Sequence, residues 1–276
     1  MQVHTEATHR FAILPEPLPA GLVLKQRFMI ICVLKATALN TIYLAYDQSM
    51  DQLVVIKRLS THPQPGGLPR VTVLRAWLYE AQFLRGLHYP HIPQLYAVFR
   101  EAHDCFMAIE YVAGRTLTEV LAAGRLEAQQ AYAIIDNLCA VVGHLHQQNP
   151  PIIHADIKPD NMLLTVDGQV VLIDFGIARQ EGRTFVTREG IGSLPYASPE
   201  QCHGAILTRR SDIYGVGMVL KDLVGTSTNA AVQRIIEWAT AHDPADRFPS
   251  IYLFQSALRQ LNVRPLTPSP SWQRAA

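Results

Sequence analysis

No two of the four cysteines, Cys32, Cys105, Cys139 and Cys202, stand at CxxC spacing, and no cysteine cluster has the spacing of zinc ligands. That argues against a disulfide scaffold and a zinc module; four buried or inert thiols in a reducing cytoplasm are expected instead. Blocks of like charge are missing and the formal net charge is only +1, so neither nucleic acid nor an anionic membrane is an expected partner. Apolar runs such as Phe28 to Leu34 are far shorter than a membrane span, and the N-terminus lacks a basic-then-apolar signal. A soluble, cytoplasmic chain with no membrane span is the expectation. No internal repeat is visible. What is present is 276 residues, 49% of them apolar, enough for one large domain or two lobes.

Prolines at 15, 17 and 19 mark residues 1–22 as an extended lead-in. Phe28 to Leu34, Thr41 to Tyr46 and Gln52 to Leu59 are short and rich in β-branched and aromatic residues, with the turn Asp47-Gln48-Ser49-Met50-Asp51 between the last two. They predict an antiparallel meander beginning near Leu24. From Val71 to Leu87, Leu74, Leu78, Ala81 and Leu84 recur at helical spacing, with Trp77 widening the stripe and Glu80 carried along. Leu95 to Phe99 and Phe106 to Tyr111 read as two further strands; Leu117 to Leu145 and most of 210–261 read as helix. Strands gathered first and helices second imply an α+β chain of two lobes, about 23–111 and 114–262, with the boundary near Tyr111 to Gly114 as the expected cleft. The proline-containing tail, 263–276, reads as disordered.

The run His154-Ala155-Asp156-Ile157-Lys158-Pro159-Asp160-Asn161, with Asp174-Phe175-Gly176 behind the strand-like Gln169 to Ile173, offers a carboxylate, an ammonium, an amide and a second carboxylate. Phosphoryl transfer from a nucleotide needs those groups: a carboxylate at the acceptor hydroxyl, a cation on the phosphates and oxygen ligands for magnesium. A capped loop whose Asp and Asn only tie backbone amides is the bland alternative, and it leaves Lys158 and Asp174 unexplained.

Together with Val54-Val55-Ile56-Lys57, Glu80 and Ser198-Pro199-Glu200, these motifs stand in the order of the eukaryotic-like, bacterial-type serine/threonine protein kinase family, which the chain resembles over roughly 24–261. The resemblance implies a two-lobed protein-kinase-like fold, with a small antiparallel N-lobe sheet carrying one helix and a larger, mostly helical C-lobe. It implies that Asp156 orients the acceptor hydroxyl and takes its proton, that Lys158 offsets charge on the moving phosphoryl, and that Asn161 and Asp174 bind Mg2+. Lys57 and Glu80 would pair to position the phosphates of ATP. Ile42, Val55 and Leu163 would sandwich the adenine, while Glu110 to Val112 would read its edge and Ile109 would be the gatekeeper. His154 would join Leu84, Leu95 and Phe175 in a structural column, Glu200 would pair with Arg247, and Asp212 would tie down the catalytic loop. Lys158 and Ser193 point to Ser or Thr acceptors on protein substrates, the chain itself among them.

Three departures bear on activity. The stretch Leu34-Lys35-Ala36-Thr37-Ala38-Leu39-Asn40 has no glycine where the family has three, which weakens nucleotide affinity or slows turnover. Ala155 replaces the family's usual arginine, the receiver of an activation-loop phosphate. The stretch between Asp212 and Arg247 is short for the family, abbreviating the substrate-docking region, which leaves open loose substrate choice, docking through another surface or little phosphorylation of other proteins; a regulatory partner is a separate expectation. A pseudokinase acting as a nucleotide-binding scaffold and a small-molecule kinase of related fold are the alternative functions; substrate, upstream signal and oligomeric state are not written in the motifs. Placing glycine at 35, 37 and 40 is expected to raise kcat/KM for Mg-ATP, and no gain would count against the loop argument. Replacing Thr184 and Thr187 together by Ala is expected to leave most activity intact, a large loss in the same assay refuting it.

Overall fold

The computed structural model describes residues 16–37, 40–59, 70–182, 193–225 and 230–261. Thr184, Thr187, most of the lead-in and the tail from Val263 lie outside the described residues. The chain divides into two compact units, one taking residues up to Ala81 together with Leu95–Tyr111, the other Gln82–Gln94 and everything from Val112.

The first unit is built on a six-stranded antiparallel sheet of β1 (Val23–Leu24), β2 (Phe28–Ala36), β3 (Asn40–Asp47), β4 (Gln52–Leu59), β5 (Leu95–Glu101) and β6 (Asp104–Glu110), in the order β1-β2-β3-β4-β6-β5. Period-two alternation sends Tyr43, Ala45, Val54, Ile56, Phe106 and Ala108 into one core with Phe28 and Ile30. Phe99 stacks between Phe28 and Phe106 at centroid distances of 5.4 and 5.2 Å, each such pair contributing about 0.5–1.5 kcal/mol beyond area burial. The opposite face meets α1 (Arg70–Gly86) through Leu59, Met107, Trp77 and Ala81. Here the helix differs from its predicted stripe. Trp77, not Leu78, is buried, and Leu78 is half exposed, because the inward positions step 77, 81, 84.

The lead-in is tethered earlier than Leu24. Leu18 donates its N–H to the Tyr43 hydroxyl at 3.1 Å and packs on the core, and the Glu16 carbonyl accepts from Arg58 Nη1 at 2.7 Å. Arg58, buried, also donates through Nε to Asp104 at 2.7 Å. Cys32 is exposed on β2 and Cys105 and Cys202 are partly buried, whereas Cys139 is fully buried and its thiol is pushed well up by burial.

In the second unit the predicted helix from Leu117 is two helices, α2 (Leu117–Ala123) and α3 (Ala128–His146). Gly124 ends the first at φ 154°, and the second opens with the Glu127 capping box. A small sheet joins β7 (Gly114–Thr116), β9 (Met162–Thr165) and β10 (Val170–Leu172); β8 (Ile152–Ile153) pairs with β11 (Arg179–Gln180). Beyond α4 (Pro199–Cys202) come α5 (Arg209–Val224), α6 (Ala230–Ala239) and α7 (Ile251–Arg259). Gly217 lets α5 and α6 touch: a Cβ there would stand 2.8 Å from that of Ala239. No helix among the described residues is long and apolar enough to cross a membrane.

Buried Asp47 closes β3 by accepting from Arg27 Nε at 2.8 Å and Nη2 at 2.6 Å and from Ser49. The Arg27 hydrogen bonds, opposed by burial, hold its carboxyl down at about 2. Because this lies below the unfolded value of about 3.9, the stabilisation is complete above that value and is lost as pH falls through about 2. Asp47→Asn is expected to cost about 1–2 kcal/mol near neutral pH, Arg27 being partly screened by solvent. Urea denaturation should show parent and variant converging between about pH 4 and 2.

Candidate active site

In the first unit Ile42, Val55, Lys57 and Ile109 share one face of the sheet. Lys57 on β4 lies directly opposite Ile42 on β3, and Val55, two positions away, lies opposite Ile109 on β6. Ile42 and Val55 are half-buried, giving an apolar shelf beside the Lys57 ammonium. Lys57 Nζ meets both oxygens of Glu80 at 2.7 Å, and both side chains are buried. This pair joins β4 to α1 and holds a cation in a site where bare desolvation would be costly. Glu110 ends β6 opposite Val54.

In the second unit the chemistry gathers at one end of the β9–β10 hairpin. Its register sets Met162 against Leu172, and Ile173 N–H donates to the Asn161 carbonyl at 2.9 Å, so Asn161 and Asp174 leave the hairpin at the same end. Leu163 on β9 pairs with Val171 and Thr116. Asp174 is exposed with φ 63°, and its carboxylate accepts from Gly176 N–H at 3.3 Å. Val112 lies half-buried just before β7.

Asp156 is the centre of this group. Lys158 Nζ donates to its two oxygens at 3.0 and 2.8 Å, and Asn161 Nδ2 donates to its carboxylate at 2.7 Å and its carbonyl at 2.9 Å. Ser193 adds a hydroxyl: Oγ accepts from Lys158 Nζ at 2.5 Å and donates to Asp156 Oδ1 at 3.3 Å. A carboxylate that already accepts a hydroxyl beside an ammonium has the layout that orienting an acceptor hydroxyl requires. His154 is wholly buried, stacks edge-on to Phe175 at 4.8 Å, and takes the Asp156 N–H on Nδ1 at 3.3 Å. Burial pushes its imidazole below the ordinary value, so it is neutral and supports the loop.

The loop hangs on Asp212. That buried carboxylate accepts from His154 N–H, Ala155 N–H and His146 Nε2, each at 2.9 Å. Gly215, a turn later on α5, allows close approach, for a Cβ there would lie 3.2 Å from the Ile157 carbonyl. Glu200 receives both Nη atoms of Arg247 at 2.8 Å and the Ser211 hydroxyl at 2.7 Å. Burial alone would raise the Glu200 carboxyl; the Arg247 and Ser211 bonds outweigh it and hold it below the ordinary range. Arg247 spends its other donors on the carbonyls of Ala241, Arg210 and His242.

The glycine-free turn is closed by Thr37. Its N–H and hydroxyl both donate to the Asn40 carbonyl, at 2.8 and 3.0 Å, and its hydroxyl accepts the Asn40 N–H at 3.0 Å. Lys35 and Thr37 do not take a positive φ. Sequence reasoning missed the contacts of Ser193 with Asp156 and Lys158, of His146 with Asp212, and of Gln201 Nε2 with the Ala155 carbonyl at 2.7 Å. Ser193 had a signal in the Gly192 to Glu200 run; the other two had none.

The family model described as protein kinase domain matches residues 38–253, and the chain belongs to that family. The serine/threonine-protein kinase PrkC of Bacillus subtilis is 34% identical over 201 residues, covering 72% of this chain and 30% of that protein. PknA of Corynebacterium glutamicum, named a serine/threonine-protein kinase, is 31% identical over 271 residues, 84% of this chain and 56% of its own length. Serine/threonine-protein kinase C of Synechocystis is 33% identical over 215 residues, 71% and 38% respectively. The chain thus spans from about a third to just over half of these relatives. Members of the family work with ATP and a divalent metal ion. The donors here fit that use: an amide and an exposed carboxylate, both hard oxygen ligands, at one hairpin end, and a buried ammonium beside an apolar shelf.

Proposed function

We propose that this chain transfers the γ-phosphate of Mg-ATP to Ser or Thr hydroxyls of proteins, itself included. The observation that carries the reading is the cluster of Asp156, Lys158, Asn161 and Ser193, in which carboxylate, ammonium, amide and hydroxyl meet within 3.3 Å. The names of the relatives, serine/threonine-protein kinases, support the choice of acceptor.

In this reading Asp156 accepts the hydrogen bond of the acceptor hydroxyl and takes its proton as transfer proceeds. Lys158, already 2.8 Å from that carboxylate, stabilises the negative charge that accumulates on the transferred group. Asn161 and Asp174 hold Mg2+, while Lys57, steadied by Glu80, grips the phosphates. Ile42, Val55 and Leu163 enclose the adenine, and Glu110 to Val112 read its edge through their backbone. When bound, ATP would supply the phosphoryl group and Mg2+ would offset its negative charge. The kinase domain runs over 23–262, and α5 and α6 are separated by only 225–229, which leaves a reduced platform for docking substrates.

Transfer of labelled γ-phosphate from Mg-ATP to the chain and to a generic basic acceptor tests this. The parent is expected to label both. Asp156→Asn should lose about 10²–10⁴ in rate, with Mg-dependent ATP binding retained in a thermal-shift assay. Equal labelling by the variant, or none by the parent, would overturn the reading.

A further inference from the structure

Ala155 puts no guanidinium at the position before Asp156, and its surroundings are apolar: it clusters with Ile153, Leu207 and partly buried Ile177. The stretch after Asp174-Phe175-Gly176 is nevertheless tied down, by a carboxylate of the chain's own. Glu181 donates its N–H to the Pro151 carbonyl at 2.8 Å. Its Oε1 accepts the Arg209 N–H at 3.0 Å and Arg209 Nε at 3.2 Å. Arg209 is the first residue of α5, so its amide has no partner within the helix, and a negative charge there also meets the positive end of the helix dipole.

These contacts close a ring through the catalytic loop. β11, ending at Gln180, pairs with β8, which ends at Ile153. Glu181 grips the first residue of α5, and three residues on Asp212 grips the amides of His154 and Ala155. Asp156 follows directly.

We infer that Glu181 is a positioning residue, a built-in carboxylate that latches the start of the activation segment onto the first turn of α5 and so holds Asp156 in place without an added phosphate. The inference rests on the phosphotransfer reading for its effect on rate, though not for the latch itself. Arg209 is half exposed, so the side-chain pair contributes less than the bond to the backbone amide.

The test uses the full chain with Glu181→Ala, Glu181→Gln and Arg209→Met, following residue-resolved amide exchange and transfer kinetics. In Glu181→Ala the Arg209 amide should exchange at least about tenfold faster and kcat should fall about threefold to tenfold, while KM for Mg-ATP stays unchanged. Glu181→Gln keeps the acceptor oxygen and should restore most of both. Arg209→Met keeps the amide bond and should lose less than Glu181→Ala. Unchanged exchange at Arg209 in Glu181→Ala would overturn the latch, and a freed amide with unchanged kcat would overturn its positioning role. Should the parent show no transfer, the phosphotransfer reading falls and the exchange at His154 and Ala155 decides the latch alone: faster in Glu181→Ala upholds it, unchanged rejects it.

Discussion

One buried carboxylate organises the second unit. Asp212 has no exposure to water and would be costly there unless fully bonded; it takes N–H groups from His146 on α3 and from two consecutive residues of the catalytic loop. Ala155 sits at φ 65°, a left-handed conformation that disfavours a residue with a Cβ by about 1–2 kcal/mol. Its amide on Asp212 and its carbonyl on Gln201 hold it there. Reversing the backbone at 155 turns Asp156 toward Lys158, Asn161 and Ser193.

The buried ion pairs of Arg247 and Lys57 use different chemistry. Arg247 presents a planar fork whose five N–H groups are all committed, two to Glu200 and three to carbonyls, so its job is fixed. Lys57 is a compact charge on a flexible stem, bound to both oxygens of Glu80 at 2.7 Å. A lysine can share its donors with an incoming anion without giving up its partner. The chain places the rigid cation where bracing is needed and the adaptable one where a ligand is expected.

How much of this could be read from the residues follows from the range of each interaction. Strand alternation and the Asp47 to Asp51 turn are local, and β2, β3 and β4 fall within two residues of the stretches read for them. The motif carboxylates are short-range too, Asp156 and Asn161 being five residues apart and linked by one side-chain bond. The break between α2 and α3 hid behind continuous apolar spacing, and only Gly124 hinted at it. Leu78 fits the helical period as well as Trp77 does; the sheet it had to face decided between them, and the sequence carries no record of that. Contacts such as His146 with Asp212, 66 residues apart, or Gln201 with Ala155, 46 apart, arise from topology and have no local signature.

The match to the family model begins at residue 38, yet the folded unit is anchored from Glu16. The intervening residues include β1 and β2, and Glu16 supplies the carbonyl that caps a buried guanidinium next in line to Lys57. A fragment cut where similarity starts would strip two strands from the sheet and expose one wall of its core. A fragment cut at residue 20 would keep the strands yet leave Arg58 Nη1 without the Glu16 carbonyl, and the Tyr43 hydroxyl without the Leu18 amide, inside protein. The working edge of this unit is therefore drawn by unmet hydrogen bonds, 22 residues before the edge that the family model would draw.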